Sequence, residues 1–309
     1  MIAQIFDANE VDLSCHVAAL RRAFHETPWA RQIGVTLTEE FYRWKYDAPA
    51  GQAKIAYVMS GEQPVSGVSA FPMTFELPNH ELKRGWQIGD IMTVPEMRRC
   101  GLYGKCLSAI IEQLDNDLLI CFPNDQSLGS IKQLGFMPVA DVETFVRPIM
   151  FPVVGRGLAD VSELGFSDIP SPPSTAFQSS SVHKDQEYLR WRYARHPVFR
   201  YQALGGSEGL AVTRAFRLFG VNVAIVMEFH PTEGSWSLLL KKVHNWARGN
   251  GMVASFLMAN WLPVKPIRSG YLFVPSAMLP KRQVLYVRYP QGRTVHLHWK
   301  TQIGDWDGL

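Results

Sequence analysis

The sequence contains no apolar run of the roughly 18 or more residues that a transmembrane helix requires. Its first residues include several acids and lack the basic segment with which secretory signals begin, so we expect no leader peptide. These two absences lead us to predict a cytoplasmic protein that has no membrane partner.

Cysteine is scarce, and its spacing gives no sign of a metal centre. No CxxC pair occurs, which favours reduced thiols in a cytoplasmic protein. The four cysteines are Cys15, Cys100, Cys106 and Cys121. His296 and His298 alternate on a predicted strand from 293 to 300 and share one face, but no third ligand accompanies them. We therefore predict no metal site.

Charge of one sign is not in excess either. The chain has 31 Lys and Arg residues against 28 Asp and Glu residues, which gives a net charge of +3. The basic residues are scattered apart from short clusters such as Arg98-Arg99 and Lys241-Lys242. A nucleic-acid-binding surface needs a denser basic patch or stripe, so we predict no nucleic-acid partner. A homodimer is compatible with this composition.

The chain of 309 residues is long enough for two domains, and it contains an internal repeat. Residues Phe41 to Tyr46 and Tyr188 to Tyr193 share the pattern aromatic-x-Arg-Trp-basic-Tyr. A proline follows each segment, at Pro49 and at Pro197. The repeat predicts that the two halves have a common architecture.

The match continues in the same order along both halves. Each half has an apolar run before a proline, a segment of helical periodicity, a short strand followed by asparagine, a glycine–aromatic pair and a closing Val-Arg segment. In the first half these are Gly89–Val94, Leu102–Leu114, Leu118–Asn124, Gly135-Phe136 and Phe145–Pro148, and in the second Val223–Phe229, Leu238–Ala247, Val253–Asn260, Gly270-Tyr271 and Tyr286–Pro290. This order predicts two copies of one mixed α/β fold.

We therefore predict an N-terminal domain over residues 1–150 and a C-terminal domain over residues 182–309. The segment from 151 to 181 is rich in proline and serine and lacks periodicity, which is typical of a linker. Each domain is expected to hold a mixed, twisted sheet flanked by helices.

The clearest chemical signal lies between residues 89 and 105. A strand ends before Pro95, and a basic turn with Arg98, Arg99 and Gly101 opens directly into the next helix. Glycine allows a ligand to approach the backbone closely, and the first N–H groups of a helix have no partners within it. Together with the positive end of the helix dipole, these groups form an anion site that suits a pyrophosphate.

This segment resembles the GNAT acetyltransferase family, whose signature after a strand is Arg/Gln-x-x-Gly-x-Gly/Ala. Arg98 and Gly101 occupy the first and fourth places of the signature. Tyr103 stands at the sixth place, where a small residue is usual, and Gly104 follows it. The resemblance covers residues 55–148, and the repeat extends it to residues 188–290.

The resemblance implies an acyl-CoA site in the N-terminal domain. The strand that ends at Val94 would diverge from the strand near 118–122, and backbone groups of Met92 and Val94 would bind pantetheine together with the amide of Asn124. The pyrophosphate would bind a loop that consists of Arg98, Arg99, Cys100, Gly101, Leu102, Tyr103 and Gly104. The implied acyl donor is acetyl-CoA or a short-chain hydroxyacyl-CoA.

The second copy lacks the features of this acyl-CoA site. Its turn from His230 to Trp236 has one glycine, no arginine and an acid, Glu233, that would repel a pyrophosphate. One cofactor site is therefore predicted, with the C-terminal copy shaping the acceptor site. The stretch from Gln186 to Pro197 is similar to a subgroup of tandem bacterial GNAT proteins, some of which acylate nucleotide-linked amino sugars in polysaccharide biosynthesis.

Acylation of an amine needs a proton acceptor and a route for the leaving thiolate. Asp90 is our candidate base, and a purely structural pairing of Asp90 is the alternative. The family often places an acid, a tyrosine, four residues before the Gly-Phe pair, where this chain has Ile131. Ser127 is our first substitute for that acid, Ser130 and Tyr103 are others, and departure of the thiolate without a dedicated acid is the remaining alternative.

The C-terminal tail offers a candidate acceptor site. Asp305 and Asp307 flank Trp306, an aromatic residue with a stacking face and an N–H donor, which suits a sugar or an amine. A solvated terminus is the alternative. The terminal carboxylate of Leu309 is a further candidate base, because some tandem GNAT-fold enzymes use theirs in this way.

The sequence thus predicts an N-acyltransferase that moves an acyl group from acyl-CoA to a primary amine, with a nucleotide-linked amino sugar as the favoured small-molecule acceptor. Two alternatives stay open. The acceptor could be another small amine, such as a polyamine, an amino acid or an antibiotic, or the protein could be a non-catalytic GNAT-like module that binds acyl-CoA.

Overall fold

The computed structural model describes residues 1–25, 36–150, 179–262, 269–279, 282–290 and 298–305. The strands within these ranges are β1 (Ala3–Asp7), β2 (Asp47–Ala48), β3 (Gly51–Gln52), β4 (Lys54–Ser60), β5 (Gln63–Glu76), β6 (Leu82–Thr93), β7 (Leu118–Cys121), β8 (Met137–Asp141), β9 (Glu143–Pro148), β10 (Ser179–Val182), β11 (Gln202–Gly206), β12 (Gly209–Leu218), β13 (Val221–Pro231), β14 (Ala254–Ala259), β15 (Leu272–Val274), β16 (Val284–Arg288) and β17 (His298–Trp299).

The helices follow the periodic segments of the sequence. They are α1 (Leu13–Phe24), α2 (Glu39–Tyr46), α3 (Leu102–Gln113), α4 (Asp125–Gln133), α5 (Gln186–Leu189), which continues as a π turn over Arg190–Ala194, and α6 (Trp236–Gly249). The side chains of Asp12 and Thr38 accept hydrogen bonds from the first turns of α1 and α2, so side-chain caps fix where these helices begin.

The first sheet carries helices on both faces. Its strand order is β1-β4-β5-β6-β7-β16-β8, with β10 added to β5 and β17 paired to β10. Along β4, Ala56 and Val58 pack against α3, whereas Ile55 and Tyr57 pack against α1 and α2. This alternation is what a strand covered on both sides requires.

The second sheet repeats this plan with the order β11-β12-β13-β14-β9-β15. Its strands β13 and β14 run parallel, as do β6 and β7 of the first sheet. The buried face of α6, which includes Leu239 and Val243, packs on Ala211, Ala224 and Leu257 of this sheet. The prediction of a mixed α/β fold in two copies is therefore confirmed.

The two copies exchange one strand each. Strand β9, from the first half of the chain, lies between β14 and β15 of the second sheet. Strand β16, from the second half, lies between β7 and β8 of the first sheet. The predicted domain boundary at residue 150 therefore does not coincide with the division between the sheets, because each sheet contains a strand from the other half.

The two tryptophans of the repeated motif meet at the junction of the copies. Trp44 and Trp191 stack with ring centroids 5.1 Å apart. Trp44 Nε1 donates to the carbonyl of Trp191 at 2.9 Å, and Trp191 Nε1 donates to the carbonyl of Trp44 at 3.0 Å. Equivalent residues that contact each other reciprocally place a pseudo-twofold axis between the two copies.

The predicted linker needs one correction at its end. Residues 151–178 lie outside the described part of the chain. Ser179–Val182, of which the first three residues were assigned to the linker, form β10 and pair with β5 through Ser181↔Glu76 and Val182↔Phe75. The chain therefore rejoins the first sheet before it enters the second copy.

In the described ranges, no helix is both long and apolar enough to cross a bilayer. Over the same ranges, no three His, Cys, Asp or Glu side chains lie together in a way that could hold a metal ion. Of the predicted histidine pair, His298 lies on β17 and His296 lies outside the described residues.

Candidate active site

A gap opens between β6 and β7 at one end of the first sheet. The parallel pairing runs from Gly85↔Leu118 to Ile88↔Cys121 and then stops. Strand β6 continues to Thr93 and stays paired with β5, up to Ser66↔Thr93. The two parallel strands therefore diverge beyond Ile88, as the resemblance implied.

A bulge marks the start of the divergent segment. The β5–β6 register shifts between Gly67 and Ser69, and Asp90 on the opposite strand has a φ of 45°. A non-glycine residue in the left-handed region is uncommon and stores backbone strain. The bulge turns the side chain of Asp90 away from the regular alternation of β6.

The backbone groups of Val94, which were predicted to bind pantetheine, are used within the fold. Val94 N–H donates to Val65 O and its carbonyl accepts from Met97 N–H, both at 3.0 Å. The carbonyl of Met92 accepts from the Ser66 hydroxyl at 3.0 Å. These bonds point toward β5 and the following turn, so the prediction of Met92 and Val94 needs correction.

The backbone groups of the residues on either side of Met92 point in the opposite direction. Backbone groups on a strand alternate in direction, so Ile91 and Thr93 face the gap beside β7 when Val94 faces β5. The backbone groups that face the gap therefore differ by one residue from the predicted pair. The bulge at Asp90 is the physical reason, because it changes which backbone groups face β5.

The predicted anion site lies in the loop between β6 and α3. Gly101 is the N-cap of α3 with a φ of 70°, and no side chain caps the first N–H groups of the helix. A Cβ atom added at Gly101 or Gly104 would meet no atom within 4 Å, so the space in front of these backbone groups is open. The uncapped N–H groups of Leu102, Tyr103 and Gly104 and the open space fit a pyrophosphate.

The two arginines of this loop, Arg98 and Arg99, have different surroundings. Arg98 Nη2 donates to the carbonyl of Ala23 at 2.7 Å, and Arg98 Nε donates to the carbonyl of Thr93 at 3.4 Å. Arg98 therefore ties the end of α1 to the loop, a structural role that the prediction did not include. The side chains of Arg99 and Cys100 are exposed beside the start of α3, where the positive charge of Arg99 complements a bound anion.

Asn124 and Ser127 form a capping box at the start of α4. Asn124 Oδ1 accepts from Ser127 N–H at 2.9 Å, and Ser127 Oγ accepts from Asn124 N–H at 3.1 Å. Ser127 Oγ also donates to the carbonyl of Asn124 at 3.2 Å. The hydroxyl of Ser127 is thus committed to the helix cap, which corrects its prediction as the acid.

Asp90 forms a shielded ion pair with Lys45. Lys45 Nζ lies 2.7 Å from Asp90 Oδ1, and the two side chains are only 5% and 12% exposed. The ammonium also lies 4.4 Å from the centroid of the Phe71 ring. Asp90, the candidate base, therefore has an ion-pair partner within the fold. A structural pairing of this kind was the alternative that the sequence analysis left open.

A buried hydrogen-bonded network centred on His16 lies next to the segment around Asp90. His16 Nε2 contacts the Tyr46 hydroxyl at 2.6 Å, His16 Nδ1 contacts the Tyr57 hydroxyl at 2.5 Å, and Tyr46 contacts the Ser69 hydroxyl at 3.1 Å. Burial, with a smaller contribution from the Lys45 ammonium, lowers the pKa of His16 to about 3. The imidazole is therefore neutral at physiological pH.

We expect this neutral histidine to make the protein acid-sensitive. The unfolded chain takes up a proton near the ordinary pKa of 6.5, whereas the folded chain does so only near 3, so stability falls as the pH drops through this window. Between about pH 7 and about pH 4 the loss attributable to His16 is about 3 kcal/mol. Urea titrations at both pH values should show a weaker pH dependence in His16→Gln than in wild type.

The exposed His25 provides the control for that comparison. His25→Gln replaces an exposed histidine that follows α1 and serves as the reference substitution for His16→Gln. An equal slope in wild type and His16→Gln would contradict the assignment of a buried neutral imidazole.

Two adjoining clefts lie between the copies, on the opposite face of the first sheet from α3. The inner one is lined by Lys45, Phe71, Met73, Gln87, Tyr188, Trp191, Arg192, Gly304 and Asp305. The outer one shares Met73, Tyr188 and Trp191 with it and opens between two exposed carboxylates, Asp185 and Glu187. The two clefts share three lining residues, and the inner one is lined by Lys45, whose ammonium pairs with Asp90.

Lys45 and Arg192 are site residues that the sequence interpretation missed. They occupy the same place in the repeated motif, and both are buried, with 4% and 6% of their surface exposed. Charged residues are rarely this buried unless they are paired. Their equivalent basic positions in the two copies were a signal that could have drawn attention to them.

Asp305 lines the inner cleft but is held in a buried charge cluster. Lys184 Nζ lies 2.5 Å from Asp305 Oδ1 and 2.7 Å from Glu228 Oε2. Gln87 Nε2 donates to the backbone carbonyl of Asp305 at 3.0 Å. The predicted role of Asp305 in acceptor binding is thus corrected to an anchor of the C-terminal segment, while Trp306, Asp307 and Leu309 lie outside the described residues.

The corresponding gap in the second copy is filled by the protein itself. Strand β13 pairs with β14 only up to Val226↔Leu257. Beyond that point Phe229 N–H donates to Gln302 Oε1 at 2.9 Å. A Cβ atom at Gly304 would clash with Glu228, so the segment 301–305 occupies the gap closely. This packing is a second feature, beside the acidic turn on which the prediction of a single cofactor site was based, that sets the second copy apart.

A bulky residue at position 101 should weaken acyl-CoA binding. Gly101→Val places a side chain in front of the uncapped N–H groups of α3, and the loss of one or two hydrogen bonds to a charged group lowers affinity by about tenfold or more. Calorimetric titration with acetyl-CoA measures this loss.

Gly61→Val is the matched control, since Gly61 has a φ of 62° and equally open surroundings in the β4–β5 turn. Equal affinities for acetyl-CoA in the two variants would show that residue 101 does not face the ligand.

Comparison with known proteins agrees with this geometry. Residues 4–135 match the acetyltransferase (GNAT) domain family. No curated protein gives a significant sequence match. The structure is similar to a GCN5-related N-acetyltransferase from Kribbella flavida, with a TM-score of 0.62 and 12% identity over 93% of this chain and 71% of that one.

Two further solved structures share the fold over almost the whole chain. One is a GCN5-related N-acetyltransferase from Anabaena variabilis, with a TM-score of 0.59 and 9% identity over 94% of this chain and 73% of that one. The other is Eis1 from Mycobacterium abscessus, with a TM-score of 0.58 and 10% identity over 94% of this chain and 74% of that one. Residues 4–135 of the N-terminal copy thus belong to the GNAT acetyltransferase domain family, and the whole chain shares the fold of these solved structures.

Proposed function

We propose that this protein transfers an acyl group from acyl-CoA to the primary amine of a small molecule, with a nucleotide-linked amino sugar as the first acceptor to test. One observation carries the proposal. The gap between β6 and β7, with the anion site of α3 beside it, opens at the bulged segment of Asp90, and the cleft between the copies is lined by Lys45, the ion-pair partner of Asp90. A donor and an acceptor could therefore meet there from opposite faces of the sheet.

Some groups of the chain would bind the acyl-CoA donor, and others would accept the proton of the attacking amine. Acyl-CoA would supply the activated thioester, its pyrophosphate held by the start of α3 and its pantetheine arm by Ile91, Thr93 and the Nδ2 group of Asn124. Asp90 is the proposed proton acceptor for the amine. The Lys45 ammonium beside it disfavours a second positive charge in the inner cleft, which helps to keep the attacking amine neutral.

The walls of the acceptor cleft indicate what it could bind. Tyr188 and Trp191 line both clefts and offer aromatic surfaces against which a sugar ring can pack. The exposed carboxylates of Asp185 and Glu187 at the entrance would attract an ammonium group. These carboxylates favour a second candidate acceptor, a cationic amine without phosphate groups, over a nucleotide diphosphate.

A non-catalytic acyl-CoA-binding module is the alternative of a different class. It is supported by Ile131, fully buried at the position of the family's usual acid, and by the engagement of the Ser127 hydroxyl in a helix cap. Such a module would use the anion site without consuming the thioester.

Release of CoA, followed with a thiol-reactive dye, tests the proposal. Acetyl-CoA and a hydroxyacyl-CoA are offered with nucleotide-linked amino sugars, free amino sugars and polyamines. Acceptor-dependent release supports the enzyme and identifies its acceptor class. Binding of acetyl-CoA by calorimetry without release from any pair would support the non-catalytic module instead.

A further inference from the structure

Lys45 carries a primary amine that the proposed reaction does not use as a reactant. It lies in the last turn of α2 and lines the inner cleft. Its Nζ atom is 2.7 Å from Asp90 Oδ1, a distance over which a base can take a proton from an amine. The fold therefore holds one amine of its own against the carboxylate that we propose as the proton acceptor.

Asp90 also links this amine to the acyl-CoA gap. The pairing of β6 with β7 ends at Ile88↔Cys121, and Asp90 lies two residues further along β6, in the bulge. A substrate amine that gives its proton to Asp90 has to lie within hydrogen-bond distance of this carboxylate while it attacks the thioester. Lys45 Nζ already occupies such a position, so a thioester that a substrate amine can attack lies close to Lys45 as well.

Lys45 is shielded from reagents that approach from solution. Its side chain is 5% exposed, and that of Asp90 beside it is 12% exposed. Nζ lies 4.4 Å from the ring centroid of Phe71 and 5.7 Å from those of Phe41 and Tyr42. An acyl donor therefore reaches this amine from a bound position inside the protein and not by direct collision from solution.

Two other lysines in the described ranges form carboxylate pairs with the same separation. Lys54 Nζ is 2.7 Å from Asp7 Oδ1, and the two side chains are 23% and 49% exposed. Lys184 Nζ is 2.7 Å from Glu228 Oε2, with 5% and 0% exposed, in the copy whose gap is filled by segment 301–305. Neither of these lysines lines the two clefts, so the pairs serve as internal controls for geometry and for burial.

We propose that Lys45 is a self-acylation site, whose Nζ takes the acyl group from bound acyl-CoA when no amine substrate is present. This inference rests on the proposed function. Lys45 gives one proton to Asp90, which passes it to solvent, and the neutral Nζ attacks the carbonyl carbon of the thioester. The N–C bond forms, the C–S bond breaks with its electron pair on sulfur, the nitrogen loses a second proton to solvent, and solvent protonates the CoA thiolate. The product is a stable amide, so each chain is modified once.

Peptide mapping by mass spectrometry tests the site directly. Wild-type protein is incubated with acetyl-CoA in the absence of any amine and then digested. The mass of one acetyl group should accumulate on Lys45 at least about tenfold faster than on Lys54 or Lys184, because only Lys45 is held beside the bound donor. An unmodified Lys45, or equal rates at Lys45 and the exposed Lys54, would overturn the proposal.

Two variants connect the modification to the bound donor. Gly101→Val, which weakens acetyl-CoA binding, should slow the modification of Lys45 by about tenfold or more at low acetyl-CoA concentration, whereas Gly61→Val should not. Lys45→Arg keeps a cation beside Asp90 but removes the amine. Without an amine substrate, wild-type protein should release at most one CoA per chain, and Lys45→Arg should release none. Equal release from wild type and Lys45→Arg would contradict the inference.

These measurements separate the inference from the proposed function. If Lys45 is acetylated but no offered amine is, the self-acylation site stands and the proposed transfer to a small-molecule amine fails. If offered amines are acylated while Lys45 stays unmodified in their absence, the proposed function stands and the self-acylation site falls.

Discussion

Replacement of Asp90 by asparagine is expected to lower kcat for amine acylation by about 10²–10⁴-fold, the range that a positioned proton acceptor contributes. Asparagine keeps the shape of the side chain and tolerates the left-handed backbone at this position, where φ is 45°. Affinity for acetyl-CoA should be unchanged, because the loop from 95 to 104 is not altered. Steady-state kinetics and calorimetry on the same preparation measure both quantities.

The ion pair with Lys45 makes a control necessary. Asp90→Asn removes the carboxylate that lies 2.7 Å from the ammonium of Lys45, which is 5% exposed, and the free energy of unfolding should fall by about 3 kcal/mol. The double variant Asp90→Asn/Lys45→Met removes both charges and should regain much of this stability without regaining kcat. Recovery of both would show that Asp90 serves only as the structural partner of Lys45.

Replacement of Lys184 by methionine is expected to destabilise the protein by about 3–5 kcal/mol, because it leaves buried carboxylates without a cation. The side chains of Glu228 and Asp305, its two partners, are 0% and 4% exposed. Burial opposes the ionisation of Glu228, but Lys184 and the hydrogen bond from His230 lower its pKa to about 2. Equilibrium unfolding in urea at neutral pH measures the loss.

The pH dependence of this loss identifies its cause. With Lys184 present, the stabilising effect of the ionised Glu228 exists above its ordinary pKa of 4.5 and is lost as the pH falls toward 2. Without Lys184, burial raises the carboxylate pKa, so the deficit of the variant should shrink as the pH is lowered.

Lys242→Met is the matched control for Lys184→Met. Lys242 pairs with Glu208 at 2.5 Å, but the two side chains are 25% and 15% exposed. More solvent-accessible pairs contribute about 0–1 kcal/mol, so the control should lose much less stability. Equal losses in the two variants would contradict the view that the charge cluster anchors segment 301–305.

The elements of the site that depend on local sequence could be predicted. The turn after Pro95 combines the end of a strand, a glycine with positive φ and a helix with no side-chain cap. Each of these features depends on residues that are close together in the sequence. The repeated motif around Trp44 and Trp191 likewise predicted two copies of one fold. The structure adds that these two residues contact each other, which no local pattern contains.

The features that depend on long-range contacts could not be predicted. Segments 143–148 and 284–288 have the apolar pattern of strands whichever sheet they join, so the exchange of β9 and β16 leaves no trace in the sequence. The bulge at Asp90 changes which backbone groups of the following residues face the gap, and it arises from the pairing with β5, which the local sequence pattern does not contain. Lys184, Glu228 and Asp305 meet across more than one hundred positions only after both copies have folded.

The central claim is that the chain holds one acyl-CoA site, formed by the divergent strands and the start of α3 in the N-terminal copy. Calorimetric titration of the full chain with acetyl-CoA, repeated on Gly101→Val, tests it most directly. We expect one molecule bound per chain in the wild-type protein and a loss of affinity of about tenfold or more in the variant. Two molecules per chain, no binding at all, or undiminished affinity in Gly101→Val would contradict the account.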